Sequence, residues 1–366
     1  MRVAFDYQIF ALQNYGGISR YFCRIAEQMA LAGTDVRVFS PLYRNAYLNE
    51  LSEEIVRGRW IEKYPPYTAR LMLGYNRLQG RVAMSRWRPQ VVHQTYYARS
   101  STAPKGCPTV LTVYDMIHEL YPESFSSEDK TSQLKRRAVE RADHVICISE
   151  STRQDLMRLF AVPESKLSVV HLGFEQFKSV AVKKQARLPR PYLLYVGARF
   201  AYKNFAGLLR AVAGSTRLKS DFDVIAFGGG GFSASEQELM QRLGFATGQV
   251  RQMGGDDALL GDLYKGAQAF VYPSIYEGFG LPPLEAMAHS CPVISSGTSS
   301  MPEIIGDAGV FFDPVNDDEM AGAIERVVYS DSEVARLVAL GRERLNHFSW
   351  LRCSQETLSI YNSLQR

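Results

Sequence analysis

Tyr272-Pro273-Ser274-Ile275-Tyr276-Glu277-Gly278-Phe279-Gly280-Leu281-Pro282-Pro283-Leu284-Glu285-Ala286-Met287-Ala288 reads as the end of a strand, a loop and the start of a helix. Pro282 and Pro283 suit a first helical turn, where the missing N–H costs nothing, and Gly278 and Gly280 clear side-chain bulk where backbone N–H groups could approach an anion. Such a strand-loop-helix unit is an anion cradle. A diphosphate at the helix start gains from free amides and from the positive dipole end, each worth on the order of 1 kcal/mol. Glu285 is expected in the first helical turn, where its carboxylate can accept paired ribose hydroxyls, and Glu277 on the loop would face the sugar. An isolated pair of this kind would be only a loop residue and a helix-start carboxylate. The two glycines and two prolines between them favour the site.

Working outward, short apolar strand candidates alternate with helical stretches. Arg2 to Phe5, Asp35 to Phe39, Val91 to His93, Thr109 to Tyr114 and His144 to Ile148 form a first series, with a helix over Ser19 to Ala32. Tyr192 to Gly197, Asp223 to Phe227, Ala269 to Tyr272, Pro292 to Ser295 and Gly309 to Phe312 form a second. Alternation of this kind builds α/β domains with parallel sheets, whose ligands sit at the carboxyl ends of the strands. Lys183 to Pro191 has the composition of a linker. The expected organisation is therefore two doubly wound, Rossmann-like domains, 1–172 and 173–348, facing across a cleft. A helix at 349–366, anchored by Trp350 and Tyr361, is expected to cross back to the first domain.

The chain has 366 residues, 46% hydrophobic and 22% charged, ordinary for a water-soluble fold with two cores. Its five cysteines are odd in number, scattered and without a Cys-x-x-Cys pair, which argues against a disulfide framework or a zinc site. The first residues show no basic region followed by an apolar run and a cleavage site, and no stretch approaches the roughly 18 apolar residues of a membrane helix. A cytoplasmic location is expected. Residues 1–172 carry 23 Lys plus Arg against 17 Asp plus Glu, while the remainder carries 19 against 21. The surplus fits either an anionic partner such as a phospholipid surface or a plain solvated face.

With these residues in view, the chain resembles the retaining glycosyltransferases of family 4, which have the GT-B fold. Glu, seven residues, Glu is matched by Glu277 and Glu285. Gly16-Gly17-Ile18-Ser19-Arg20-Tyr21 resembles the family's glycine loop, Cys147-Ile148-Ser149-Glu150-Ser151 its domain-closing strand, and Val196-Gly197-Ala198-Arg199 with Lys203-Asn204 its phosphate-binding stretch. The resemblance implies that Glu277 contacts the transferring sugar and that Glu285 binds the ribose. It also implies that Gly17, Arg199 and Lys203 hold the diphosphate, with Gly16, Phe279, Gly280 and Leu281 completing the donor site. Arg199 and Lys203 fit that role on their own chemistry, since a guanidinium and an ammonium after the first strand of the second domain can neutralise a leaving diphosphate.

Asp115 and His118, in Val113-Tyr114-Asp115-Met116-Ile117-His118-Glu119, are the catalytic candidates of the first domain. Family members carry His-Asp here, and Tyr114 stands in the place of that histidine. Asp115 is an acceptor-side or sugar-contacting candidate, and His118 could take over the histidine's role or be structural. Gly228-Gly229-Gly230-Gly231 is half a dinucleotide fingerprint, with Ser233 where the final glycine belongs, and reads as a tight loop near the nucleotide. Asp221-Phe222-Asp223 imitates a metal motif but reads as a strand start, and no catalytic metal or cofactor is expected.

Arg70, Arg77, Arg81 and Arg88 fall within about 40° of one another on a helix, beside an apolar stripe of Leu71, Tyr75, Leu78 and Val82. Peripheral contact with the inner membrane and a helix packed on its own domain both fit this pattern, and Gly74 and Gly80 weaken the helix itself. The resemblance is greatest to bacterial mannosyl and rhamnosyl transferases that build polysaccharide or O-antigen chains. It implies a donor such as GDP-mannose, a glycan or lipid-linked acceptor, and no nucleic-acid partner. A UDP-glucose donor, a nucleotide-sugar epimerase of similar fold and a catalytically silent homologue are the alternatives.

Overall fold

The computed structural model describes residues 1–174 and 190–365, so most of the linker reading at Lys183 to Pro191 lies outside the described residues. The chain divides into two compact units, Met1–Glu119 with Phe125–Gly173 and Phe348–Arg366, and Leu120–Ser124 with Phe174–His347.

The first unit holds seven strands, β1 (Arg2–Phe5), β2 (Asp35–Tyr43), β3 (Val56–Trp60), β4 (Val91–Gln94), β5 (Thr109–Val113), β6 (His144–Cys147) and β7 (Leu167–Val169). They lie in the order β3-β2-β1-β4-β5-β6-β7, all parallel. The second holds β8 (Tyr192–Val196), β9 (Asp223–Phe227), β10 (Val250–Met253), β11 (Ala269–Tyr272), β12 (Val293–Ser296) and β13 (Gly309–Phe312). Their order is β10-β9-β8-β11-β12-β13, again all parallel. Central strands such as β5 and β8 are buried throughout, which is why they read as continuous apolar runs. In each sheet the strand order reverses once, between β1 and β4 and between β8 and β11. Crevices for ligands open at such switch points.

The strands without a sequence signal are β3, β7 and β10, and each is a sheet edge. An edge strand pairs on one side only and can stay polar, as Val56-Arg57-Gly58-Arg59-Trp60 does. Because β7 lies outside β6, the Cys147 segment is not the last strand of its sheet. Ser149 instead caps the helix Glu150–Phe160, accepting the Thr152 N–H at 3.1 Å.

Three helices, Asp317–Val328, Asp331–Leu345 and Trp350–Ser363, end the chain. The last belongs to the first unit and packs on the helix Gly17–Leu31. Trp350 is 6.2 Å from the Tyr21 ring, and a Cβ on Gly173 would stand 2.4 Å from the Trp350 backbone nitrogen. Tyr361 is fully buried, its hydroxyl 2.5 Å from Nδ1 of His93 on β4.

The arginine-bearing segment is helical over Ala69–Trp87 despite two glycines. It docks through Asn76, Gly80 and Met84. The Asn76 amide accepts the Leu42 N–H at 2.6 Å and donates to the Leu42 carbonyl at 2.8 Å, so the helix extends the hydrogen bonding of β2. At Gly80 the helix lies against β2, where a Cβ would meet the Phe39 carbonyl at an ordinary contact distance of 3.6 Å. Leu71, Tyr75, Leu78 and Val82 are exposed. The stripe that would have packed on its own domain therefore faces solvent.

Candidate active site

Two loops leave the second sheet side by side at its switch point, one after β8 and one after β11. The first carries Arg199 and the 3₁₀ turn Ala201–Lys203; the second carries Glu277. They are tied at the backbone by Ile275 N–H donating to the Tyr202 carbonyl at 2.7 Å. Beside that bond Lys203 Nζ donates to Glu277 Oε1 at 2.6 Å, with both side chains mostly buried at 17% and 9% exposure. The Tyr272 hydroxyl at the end of β11 also bonds the Glu277 carboxylate, and burial together with that carboxylate holds the phenol well above its ordinary range. Tyr272 is thus a fixed donor. A carboxylate with one ammonium and one phenol aimed at it keeps one geometry.

The backbone of this loop is held by a ladder of hydroxyls for which the sequence reading had no role. Ser296 donates to the Ser274 carbonyl at 2.5 Å and Thr298 to that of Ile275 at 2.8 Å. Ser299 accepts the Glu277 N–H at 2.9 Å, and the Ser300 hydroxyl lies 2.9 and 2.8 Å from the carbonyls of Glu277 and Phe279. The signal was present in Ser295-Ser296-Gly297-Thr298-Ser299-Ser300, a hydroxyl-rich run that begins at the end of β12 and continues into the loop after it. Such side chains satisfy carbonyls of an irregular loop that no sheet partner reaches.

Arg199 is placed differently from Lys203. Its Nε donates to Glu236 at 2.6 Å, Nη1 to the Gly228 carbonyl at 3.0 Å, and Nη2 to those of Gly230 and Gly231 at 2.9 and 2.8 Å. The guanidinium, 5% exposed, clasps the four-glycine loop after β9. Gly228, Gly229 and Gly230 all have left-handed φ, and a Cβ on Gly229 would stand 2.7 Å from Nη1. Burial raises the Glu236 carboxyl, but the Ser233 N–H and Arg199 outweigh it and hold the group below its usual range. Ser233, where a dinucleotide fingerprint would have glycine, closes a capping box with Glu236. Arg199→Ala is expected to cost about 2–3 kcal/mol by leaving these acceptors unpaired, read as a fall in the denaturant midpoint with unchanged m. An unchanged midpoint would show that the clasp carries no stability.

The helix after the loop spans Leu281–Ala288, with Gly280 as its left-handed N-cap at φ 109°. Glu285 is its fifth residue, so it opens the second turn and not the first. With Pro282 and Pro283 in place, Leu281 is the only one of the first three helical residues that has a backbone N–H, and the cradle offers fewer amides than a helix start of ordinary composition. Glu285 is buried, and Oε2 accepts the Tyr264 hydroxyl at 3.2 Å. Burial and the adjoining carboxylate keep that phenol well above its ordinary range, so it remains a donor. His289 stacks on Tyr264 and its Nδ1 lies 2.8 Å from the Glu285 carbonyl. Asp223 pairs with Arg251 and Arg190, and Asp221 accepts the Tyr329 hydroxyl at 2.9 Å. Both carboxylates of the Asp-x-Asp sequence are engaged in the frame.

In the first unit Gly16 caps the 15-residue helix Gly17–Leu31 without a side-chain hydrogen bond. A Cβ on Gly16 would stand 2.3 Å from Gln13 Oε1, which is buried without a partner; at Gly17 there is open space. Asp6, directly after β1, is fully buried, and its carboxylate accepts the Thr95 N–H at 2.9 Å and hydroxyl at 2.7 Å. Asp115 follows β5, accepting the Ile117 N–H at 3.1 Å, 3.8 Å from the ammonium of Lys135 and 30% exposed. Lys135, buried and unforeseen, is held by Glu119 at 2.7 Å and by the Asp115 carbonyl at 2.8 Å. His118 stacks on Phe125 at 3.8 Å with Nε2 3.7 Å from Asp129. Its Nδ1 is buried without a hydrogen-bond partner. Tyr114 is buried beside Tyr21.

Two doubly wound parallel sheets, each with a switch point in its strand order, define the GT-B class of glycosyltransferases, and comparison with known proteins agrees. Residues 15–175 match the profile "Glycosyltransferase Family 4" and residues 176–344 match "Glycosyl transferases group 1". O-antigen chain mannosyltransferase B of Escherichia coli is 30% identical over 270 residues, 70% of either chain. O-antigen chain mannosyltransferase RfbU of Salmonella typhimurium is 27% identical over 228 residues, 62% of either chain. Sucrose-phosphate synthase from Thermosynechococcus elongatus superposes with a TM-score of 0.74 at 21% identity, covering 99% of this chain and 98% of that one. WaaG, a glycosyltransferase involved in lipopolysaccharide biosynthesis, gives 0.69 at 15% identity, covering 98% and 99%. The chain belongs to glycosyltransferase family 4. Among the described residues no helix is long and apolar enough to cross a membrane.

Proposed function

We propose that this glycosyltransferase moves mannose from GDP-mannose, with retention at the anomeric carbon and without a metal, onto a glycan or lipid-linked glycan in bacterial polysaccharide or lipopolysaccharide synthesis. The observation that supports it best is the buried Glu277–Lys203 pair at the β8/β11 switch point, a carboxylate and an ammonium held 2.6 Å apart. In this reading the carboxylate meets the transferring sugar and the ammonium neutralises the departing diphosphate. The acceptor hydroxyl attacks from the face the diphosphate leaves. The chain's share is positioning and charge stabilisation. The choice of a mannosyl donor rests on the O-antigen relatives, which are mannosyltransferases.

Calorimetric titration with GDP, UDP, ADP and dTDP, first without metal and then with magnesium, tests the donor. GDP binding without metal is the expected result, and selective UDP binding would overturn it. Glu285→Ala is expected to weaken the bound nucleotide by on the order of 10–100-fold, the loss of hydrogen bonds to a charged acceptor. Unchanged affinity in that variant would remove Glu285 from the ribose site.

A further inference from the structure

The helix Ala69–Trp87 presents three separate faces. With about 100° per residue, the packed residues Asn76, Gly80 and Met84 centre on one direction, and Arg70, Arg77 and Arg81 lie roughly a quarter-turn round from them. Leu71, Tyr75, Leu78 and Val82 lie about a further 110° on, facing away from the domain. Those four are 68%, 48%, 62% and 38% exposed, and Tyr67, just ahead of the helix, is fully exposed. The remaining large exposed apolar residues of the described chain, apart from Trp60 on β3 and the near pair Leu12 and Tyr15, are scattered singly through it. A stripe at i, i+4, i+7 and i+11 that a domain turns outward is out of place in water.

The charge around it is one-sided. Residues 63–114 contain eight Lys or Arg and no Asp or Glu, so they exceed the whole positive surplus of the first half. The helix itself carries Arg70, Arg77, Arg81 and Arg86 and no acid. An aqueous protein partner of ordinary composition would not need a wholly basic rim along one side of an apolar stripe. A bilayer with anionic headgroups offers both halves of the match, acyl boundary for the stripe and phosphates for the rim.

We propose that Ala69–Trp87 is an interfacial helix that docks the enzyme on an anionic phospholipid surface, with Leu71, Tyr75, Leu78 and Val82 entering the headgroup boundary. The arginines snorkel to the phosphates. Docking brings the enzyme to membrane-borne acceptors, and it stands whichever nucleotide sugar is the donor.

Vesicle flotation of the full chain tests this, with phosphatidylglycerol-containing and purely phosphatidylcholine vesicles at low and high salt. Binding is expected to the anionic vesicles, to weaken with salt, and to be far weaker on the neutral ones. The triple variant Arg70→Gln/Arg77→Gln/Arg81→Gln should lower partitioning by on the order of 100-fold, about fivefold per arginine. Leu71→Ser/Leu78→Ser should lower it about 10-fold or more while its retained basic rim keeps the salt dependence. All five positions are exposed, so both variants should fold and bind nucleotide as the parent does. Equal flotation of parent and variants, or none of the parent on anionic vesicles, would overturn the proposal. A lipid-free dimer in sedimentation velocity that Leu71→Ser/Leu78→Ser dissolves would also overturn it, giving the face to a second copy of the chain.

Discussion

Glu277→Gln is expected to lower the transfer rate by on the order of 10³-fold while leaving the nucleotide Kd within about threefold of the parent. The side chain is built in before any substrate arrives: Lys203 and Tyr272 fix the carboxylate, and Ser299 and Ser300 fix the backbone beneath it. Charge placed this way is most effective where positive character develops on the sugar in the transition state, and that interaction is weak in the ground state. The amide keeps shape and removes charge. Lys203, at 17% exposure, then loses its internal anion and remains free to meet a phosphate, so affinity should not fall with rate. Single-turnover transfer assays and calorimetry separate the two quantities. Full activity in Glu277→Gln would remove the residue from the chemistry; a parallel loss of affinity and rate would make it a binding residue.

The strands most legible in sequence are those buried on both faces, with the edge strand β13 read as well because Gly309–Phe312 keeps an apolar run. β1, β5, β8 and β11 needed apolar runs to lie inside a parallel sheet, and the runs could be read. β3, β7 and β10 lie at edges, where no such demand is made. In the candidate site, the positions of Glu277 and Lys203 were readable because each lies in a glycine-bearing loop directly after an apolar strand. The hydroxyl ladder from Ser296 to Ser300 was not, because serines are common in loops and their work depends on which carbonyls the neighbouring loop presents. Arg199 shows the limit differently: its position after β8 was right for an anion, yet its donors go to carbonyls of a glycine loop 29 to 32 residues away in sequence. The exposed apolar stripe is a third kind of case. Periodicity placed Leu71, Tyr75, Leu78 and Val82 on one face, but only the docking of Asn76 on Leu42 tells which way that face points.

His93 gives the protein an acid-labile joint, and stability is expected to fall by up to about 5 kcal/mol between roughly pH 6.5 and 3 on its account. The imidazole is fully buried on β4, with Nδ1 at the Tyr361 hydroxyl and Nε2 2.8 Å from that of Thr112. Burial pushes its pKa down to about 3. In the unfolded chain a histidine titrates near 6.5, so between the two values the unfolded state binds a proton that the folded state refuses. Stability from this group is therefore complete above about pH 6.5 and is lost as pH falls toward the folded value. Other groups act in the same range and in both directions: burial raises Asp6, which opposes the trend, and lowers His144, which adds to it. The difference between parent and His93→Gln in urea titrations at several pH values isolates the joint, because the shared groups cancel. The gap between them should narrow steadily as pH drops below about 6.5. Because Tyr361 belongs to the C-terminal helix, amides of Trp350–Ser363 should lose exchange protection over the same interval. A gap that stays constant down to pH 4 would mean that His93 accepts its proton inside the fold.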